Sequence, residues 1–245
     1  MIKWGDEVDV LVLAGGKGTR LRPVLTGKPK ILAPICNVTF FDILLSWLTQ
    51  QGAKKVVFSL GYLADQVIEK IAAYDGGLSL SYVVEDSPLG TGGGCVLGAA
   101  QGHADVLLVL NGDSWADLTI GEFYKAFIES GSNCALAGVE VEDVSRYGQL
   151  IVDQEGFVLE FKEKNNGTSS AGLINSGAYL FKKECFSCYE VGTAFSLEVD
   201  FFQKQPAKTV FAYDSAKVDF IDIGVPSSLE VAQTLLTQYF PKVQR

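Results

Sequence analysis

Apolar positions along this chain of 245 residues follow two rhythms. Val8, Val10, Leu11, Val12 and Leu13 form a short β-branched run that stops at Gly15-Gly16, the pattern of a strand buried on both faces. Phe40, Phe41, Ile43, Leu44, Trp47 and Leu48 then recur at helical spacing over residues 39–48, with Thr39 and Asp42 placed as a capping box. The same reading predicts strands over 55–60 and 80–84, an amphipathic helix over 64–73 and a small-residue helix over 91–101. A further strand over 106–110 ends at Asn111-Gly112-Asp113. This alternation implies βαβ units, hence an α/β fold with a mostly parallel sheet flanked by helices on both faces.

The second half is richer in strands, predicted over 134–141, 149–152, 157–161, 178–181, 210–213 and 217–221. Helices are expected over 195–203 and 226–239, the latter with Pro226 in its first turn. Residues 165–170 read as a polar loop. No repeat and no long linker divides the chain, so a single domain over 1–245 is expected.

Composition narrows the function. Twenty basic against 29 acidic residues give a net charge of −9, which argues against a nucleic-acid binder. Yet Lys17, Arg20, Arg22, Lys28 and Lys30 fall within fourteen positions that hold no Asp or Glu. Removing those five leaves 15 basic against 29 acidic residues, or −14, so a local cationic segment sits on an acidic body. That suggests a site for a small anion. No apolar run is long enough to span a bilayer, and the N-terminus lacks the basic and apolar regions of a signal peptide. Five cysteines, an odd number, argue for reduced thiols; the cytoplasm is the expected location. Cys36, Cys95 and Cys134 read as small core residues, and Cys185-Phe186-Ser187-Cys188 lacks the second pair that a tetrahedral zinc site needs.

Two groups of residues carry candidate chemistry. Gly15-Gly16-Lys17-Gly18-Thr19-Arg20-Leu21-Arg22 follows the first strand, where backbone N–H groups and fixed cations cradle phosphates. It is neither a Walker A loop nor a dinucleotide fingerprint, since the Gly-Lys-[Ser/Thr] ending and the third glycine are absent. Asp113 and Asp222 each follow a predicted strand at the same edge of the sheet, where two carboxylates suit Mg²⁺ bound with substrate phosphates. His103, the only histidine, reads as a surface or capping residue, which nearly excludes histidine-dependent triads.

Ordered blocks from about 8 to 233 resemble the sugar-1-phosphate nucleotidyltransferases: Leu13 to Leu21, Pro29-Lys30, Gly90-Thr91-Gly92-Gly93, Asn111-Gly112-Asp113, Glu163-Lys164, Asn175-Ser176-Gly177 and Asp222-Ile223-Gly224. Ser145-Arg146-Tyr147-Gly148, Leu60-Gly61-Tyr62 and the stretch from Phe220 to Pro226 most resemble the D-glycero-D-manno-heptose 1-phosphate guanylyltransferase branch. The resemblance implies a Rossmann-like (GT-A-like) fold with a nucleotide-binding half over about 1–135 and a small sugar-binding β lobe over about 136–245. It implies a reaction between a nucleoside triphosphate and a sugar 1-phosphate, with Mg²⁺ as cofactor and nucleotide-sugar and pyrophosphate as products, in surface-glycan synthesis.

By the same resemblance, Leu13, Ala14, Gly15, Gly16, Gly18, Thr19, Gly90, Thr91, Asn111 and Gly112 bind the nucleotide. Arg20 and Lys30 neutralise its phosphates, and Asp113 and Asp222 hold the metal. Tyr147, Gly148, Glu163, Lys164, Asn175 and Gly177 line the sugar pocket. Glu85 stands where the family reads the base; a carboxylate there accepts both N1–H and N2–H₂ of guanine. The usual Pro-Lys-Pro is here Pro29-Lys30-Ile31, and Ser176 replaces a commoner Gly or Thr. Thymidylyl, cytidylyl or uridylyl transfer, to mannose or glucose 1-phosphate for instance, and a non-catalytic nucleotide-sugar sensor remain open. No membrane or nucleic-acid partner is expected; a homodimer is the prior for assembly.

Overall fold

The structure is a computed structural model that describes residues 4–21, 23–162, 170–241 and 243. In chain order its elements are β1 (Val8–Ala14), β2 (Pro34–Ile35), β3 (Val38–Thr39), α1 (Phe40–Gln51), β4 (Lys55–Leu60), α2 (Ala64–Ala72), β5 (Ser79–Val84) and α3 (Gly90–Ala99). There follow β6 (Val106–Asn111), β7 (Ser114–Ala116), α4 (Ile120–Ser130), β8 (Cys134–Val141), β9 (Gln149–Val152) and β10 (Val158–Lys162). The chain finishes with β11 (Gly172–Lys182), β12 (Val210–Asp214), β13 (Phe220–Asp222) and α5 (Pro226–Tyr239).

Nine strands form one mixed sheet. Its main path runs β10-β9-β11-β6-β1-β4-β5, and β8 joins β11 to β12. The pairs β6/β1, β1/β4 and β4/β5 are parallel, as βαβ crossovers require. Antiparallel β11 adds the second half of the chain to β6. The period of two explains the unbroken apolar runs. Val8, Val10 and Val12 of β1, with Leu108 and Leu110 of β6, pack on one face against Phe40, Phe41 and Leu44 of α1. Leu11, Leu107 and Val109 face the other side, with Cys95, Tyr179, Phe181 and Phe201.

Helix α1 starts as its sequence predicts. The Asp42 backbone N–H donates to Thr39 Oγ1 at 3.4 Å, and the Thr39 N–H donates to Asp42 Oδ2 at 2.8 Å. The structure also differs from the pattern in several places. Helix α4 lies where no element was expected, although Ile120, Phe123, Tyr124 and Phe127 are buried at helical spacing. Strand β11 starts six residues before the expected 178–181, and its first part pairs with β8 and β9.

The helix expected over 195–203 is a π-helical turn at Leu197–Phe201 followed by a 3₁₀ turn at Phe202–Lys204. The wide turn buries Leu197, Phe201 and Phe202 while Glu198 bonds across to Thr91. Cys36 is exposed at a turn with φ +51°, whereas Cys95 and Cys134 are core residues. No helix among the described residues is long and apolar enough to cross a membrane.

Candidate active site

The carboxyl ends of the parallel strands open into a cleft of about 600 Å³. Strand β1 delivers Leu13 and Ala14 to its wall, and the glycine-rich turn runs on through Gly15, Gly16, Gly18, Thr19 and Arg20. Glu85, Gly90, Thr91, Asn111, Gly112, Asp113 and Lys30 complete it, so every residue assigned to the nucleotide by resemblance lines this cleft. Two backbone bonds hold the turn: Gly112 N–H donates to the Leu13 carbonyl at 2.9 Å, and Tyr62 N–H to the Gly15 carbonyl at 3.1 Å.

Lys30 begins a 3₁₀ turn, Lys30–Leu32, whose Ile31 and Leu32 are buried. The apolar residue that replaces the second proline thus anchors the turn in the core and leaves Lys30 facing the cleft. Its ammonium is ion-paired with Asp113 and lies 3.4 Å from Asp222 Oδ1. The two carboxylates meet through the ribbon that β7 forms with β13, in which Asp222 stands opposite Ser114. Asp222 therefore reaches the site on a two-stranded ribbon beside the main sheet, and not from a strand of that sheet as the sequence suggested. Ser114 Oγ donates to Asp113 Oδ1 at 3.1 Å, and Gly224 N–H donates to Asp222 Oδ1 at 2.6 Å.

This donor set fits a hard divalent cation. Two carboxylates converge with their orientations fixed by Ser114 and the Gly224 backbone. Mg²⁺ commonly binds through one or two carboxylates while keeping waters and substrate phosphates.

A second cavity, of about 390 Å³, shares Arg20, Asn111 and Asp113 with the first. Tyr147, Gly148, Asn175, Gly177 and Asp222 also line it. Glu163 and Lys164, expected in the same pocket, lie outside the described residues. The Tyr147 ring packs edge-on to Phe220 at 5.6 Å between centroids, and the Arg146 guanidinium lies 5.6 Å from it on the ring face. Burial raises the Tyr147 phenol above its ordinary pKa, with the Arg146 charge opposing. Gly177 has φ +81°, and a Cβ there would stand 2.6 Å from Asn111 Nδ2, so only glycine lets the two walls close up. The buried Oδ1 of Asn111 has no hydrogen-bond partner among the described residues. An unmet acceptor costs about 1–3 kcal/mol, which a donor entering either cavity at this shared wall would relieve.

One residue here was not singled out in the sequence. Glu198 accepts from Thr91 Oγ1 at 2.8 Å, Ser196 Oγ at 2.7 Å and Tyr179 OH at 3.3 Å. Asn175 Nδ2 donates to that same Tyr179 oxygen at 2.9 Å, and Gly177 N–H donates to Asn175 Oδ1 at 3.0 Å. Burial, and after it the Glu198 charge, pushes the Tyr179 phenol well up. Thr91 and Asn175 thus brace the two cavities against each other, their own side chains already engaged by protein. Glu85 Oε1 accepts from Ser59 Oγ at 3.2 Å and Oε2 from Leu89 N–H at 3.0 Å, so the protein itself fixes the orientation of this carboxylate. A Cβ on Gly15 would stand 2.6 Å from Glu85 Oε1, so the bare backbone makes room for it. His103 is exposed and lines neither cavity. Cys185 donates to the Asn133 carbonyl at 3.1 Å and is hydrogen-bonded to Cys134, away from both cavities.

A protein of Aneurinibacillus thermoaerophilus named D-glycero-alpha-D-manno-heptose 1-phosphate guanylyltransferase is 32% identical over 232 residues, 95% of this chain and 100% of that one. The crystal structure of HddC from Yersinia pseudotuberculosis superposes with a TM-score of 0.81 at 35% identity, covering 94% of this chain and 99% of that one. Its complex with GMP-PN gives 0.80 at 36% identity, covering 92% and 97%. The nucleotidyl transferase family profile matches residues 9–238. Together with the phosphate-binding turn and the paired aspartates, that match places this chain in the nucleotidyl transferase family.

Proposed function

We propose that this protein transfers GMP from GTP to a sugar 1-phosphate, with D-glycero-D-manno-heptose 1-phosphate as the acceptor, releasing pyrophosphate. The observation that carries this reading is the meeting of two cavities at Arg20, Asn111 and Asp113, beside the Lys30–Asp113–Asp222 cluster. One cavity offers glycine-rich backbone and cations to a triphosphate; the other offers hydroxyl and amide groups to a sugar. The 32% identical relative named for this activity and the HddC complex with GMP-PN support guanine and heptose as the specific choice.

In this reading an ionised oxygen of the sugar phosphate attacks the α-phosphorus of GTP in line. The new O–P bond forms as the bond from the α-phosphorus to its bridging oxygen breaks, and the electron pair leaves with pyrophosphate. The attacking group carries no proton to remove, so no histidine base is required. Arg20 offsets charge on the departing phosphates, and Lys30 spans the reacting pair. Asp113 and Asp222 would hold Mg²⁺, which supplies positive charge to the α-phosphate when bound. Glu85 receives the guanine edge, and the two cavities fix the approach of the reactants. Residues of about 1–135 form the nucleotide half and about 136–245 the sugar half, and the resemblance assigns Glu163 and Lys164 to the sugar. The product feeds surface-glycan (lipopolysaccharide or capsule) synthesis in the cytoplasm, with a homodimer as the working assembly.

The test is Mg²⁺-dependent pyrophosphate release over a grid of four nucleoside triphosphates and several sugar 1-phosphates, heptose, mannose and glucose included. A single dominant response at GTP with heptose 1-phosphate is expected. A dominant response elsewhere replaces the substrates. Silence across the grid, with nucleotide-sugar still bound, replaces the enzyme with a sensor.

A further inference from the structure

We propose that Arg146, which lines neither cavity, is a positioning residue for the acceptor: its contacts with Ser228 and with the Tyr147 ring fix where the Tyr147 hydroxyl sits in the second cavity. The guanidinium carbon lies over the ring, 5.6 Å from its centroid, within the range of a cation–π contact. Arg146 Nη2 also donates to Ser228 Oγ at 2.9 Å. Ser228 stands in the first turn of α5 and is 4% exposed, so this bond ties a surface guanidinium to a fixed point of the core. Among the described residues Arg146 belongs to none of the ion pairs, so no carboxylate draws it away from the ring.

Three separate segments hold the tyrosine. Its own turn is closed by Tyr147 N–H donating to the Val144 carbonyl at 2.9 Å and Ser145 N–H donating to Asp143 Oδ1 at 2.9 Å, with Val144 buried beneath. Phe220 of β13 meets the ring edge-on, and Arg146, anchored on α5, covers a face. Yet among the described residues the Tyr147 hydroxyl has no hydrogen-bond partner. A ring fixed on several sides, with its one polar atom left over in a cavity that it lines, is arranged to meet a ligand there. Arginine suits the clamp better than lysine does. A planar guanidinium lies over an aromatic face and keeps N–H groups free in its own plane for Ser228, whereas an ammonium offers a single point of charge.

This inference rests on the proposed transfer to a sugar 1-phosphate, and a double-mutant cycle between Arg146 and Tyr147 tests it. Steady-state kinetics use the triphosphate and sugar 1-phosphate that dominate the activity grid. Arg146 is exposed, so its substitution keeps the fold. Arg146→Met is expected to raise KM for the sugar 1-phosphate by about 3- to 10-fold, with KM for the triphosphate unchanged and kcat changed less. Arg146→Lys should fall between Arg146→Met and wild type. In a Tyr147→Phe background, where no hydroxyl remains to be placed, Arg146→Met should cost less than about 2-fold. An equal loss in both backgrounds overturns the proposal, since a merely structural arginine acts whether or not the hydroxyl is there. So does an unchanged KM for the sugar 1-phosphate, or an equal rise for the triphosphate. Failure of the transfer reading shows itself differently, as silence across the grid. The same cycle is then read in the Kd for GDP-mannose: a loss confined to the Tyr147 background keeps the clamp without the catalysis, and equal losses or no binding to wild type overturn it.

Discussion

The backbone N–H of Ile223 donates to the carbonyl of Asp113 at 2.9 Å. One main-chain bond thus locks together the loops that carry the two acidic side chains of the site. Their separation is set by backbone, so a change of side chain leaves the scaffold in place. Asp113→Asn and Asp222→Asn should each keep the native circular dichroism spectrum and lower Mg²⁺-dependent turnover by about 100-fold or more. Near-normal turnover in either variant removes that carboxylate from the proposed metal site.

Lys30 engages the two carboxylates that would hold the proposed Mg²⁺, so the two cations should compete for them. Lys30→Met leaves Asp113 and Asp222 facing each other, and in metal-free buffer should cost about 1–2 kcal/mol of stability, discounted for their partial exposure. Added Mg²⁺ should then raise the melting temperature of the variant more than that of wild type. Equal Mg²⁺ shifts in a thermal melt refute the competition.

Glu85 is held by Ser59 and by the Leu89 backbone with acceptor capacity left over. Glu85→Gln replaces one acceptor oxygen with a donor, which should reduce preference for GTP over the other triphosphates by about 1–3 kcal/mol. The measurement is kcat/KM for each triphosphate. An unchanged ranking and spacing leaves Glu85 as a brace for the turn beneath Gly15.

Helix α1 carries a pH-dependent anchor away from the site. Burial raises the pKa of Asp42, but its bonds to Thr39 and to Lys70 (2.9 Å) outweigh this and hold it below the ordinary carboxyl value. A depressed folded-state pKa means that ionised Asp42 stabilises the fold above the unfolded carboxyl pKa, and that this contribution vanishes as pH falls through the folded value. Asp42→Ala should cost about 1 kcal/mol at neutral pH, and the gap to wild type should close below about pH 4. Urea midpoints across that range decide the matter; a gap constant down to low pH assigns the loss to packing.

Much of the site was legible because it lies in short ordered segments. The glycine-rich turn after β1, Asn111-Gly112-Asp113 after β6 and Asp222-Ile223-Gly224 after β13 each announce a strand end and a functional group together. Strands β1 and β6 were plain because burial on both faces leaves no polar interruption. Glu198 was not legible: its partners Thr91 and Tyr179 are 107 and 19 positions away, and no local spacing marks a side chain that matters by where it bonds. Nor was the pairing of β7 with β13: β13 falls at the end of the strand expected over 217–221, but the three residues of β7 are too few to show a periodicity. Helix α4 is a different case, since its apolar spacing is regular and was simply passed over.

Strand β11 pairs with β6 through Ala178–Lys182 and, upstream of a register shift, with β8 through Gly172–Asn175. Between those stretches lies Gly177, pressed against Asn111 at the wall common to both cavities. The same ladder therefore serves as a measuring rod between the walls of the two cavities. The paired stretches on either side hold Gly177 between them, and a slip by one residue would turn every side chain of the strand to the wrong face. The distance between the two cavities is thereby a property of the sheet, and adaptation to a different ligand would be left to the side chains and loops around it.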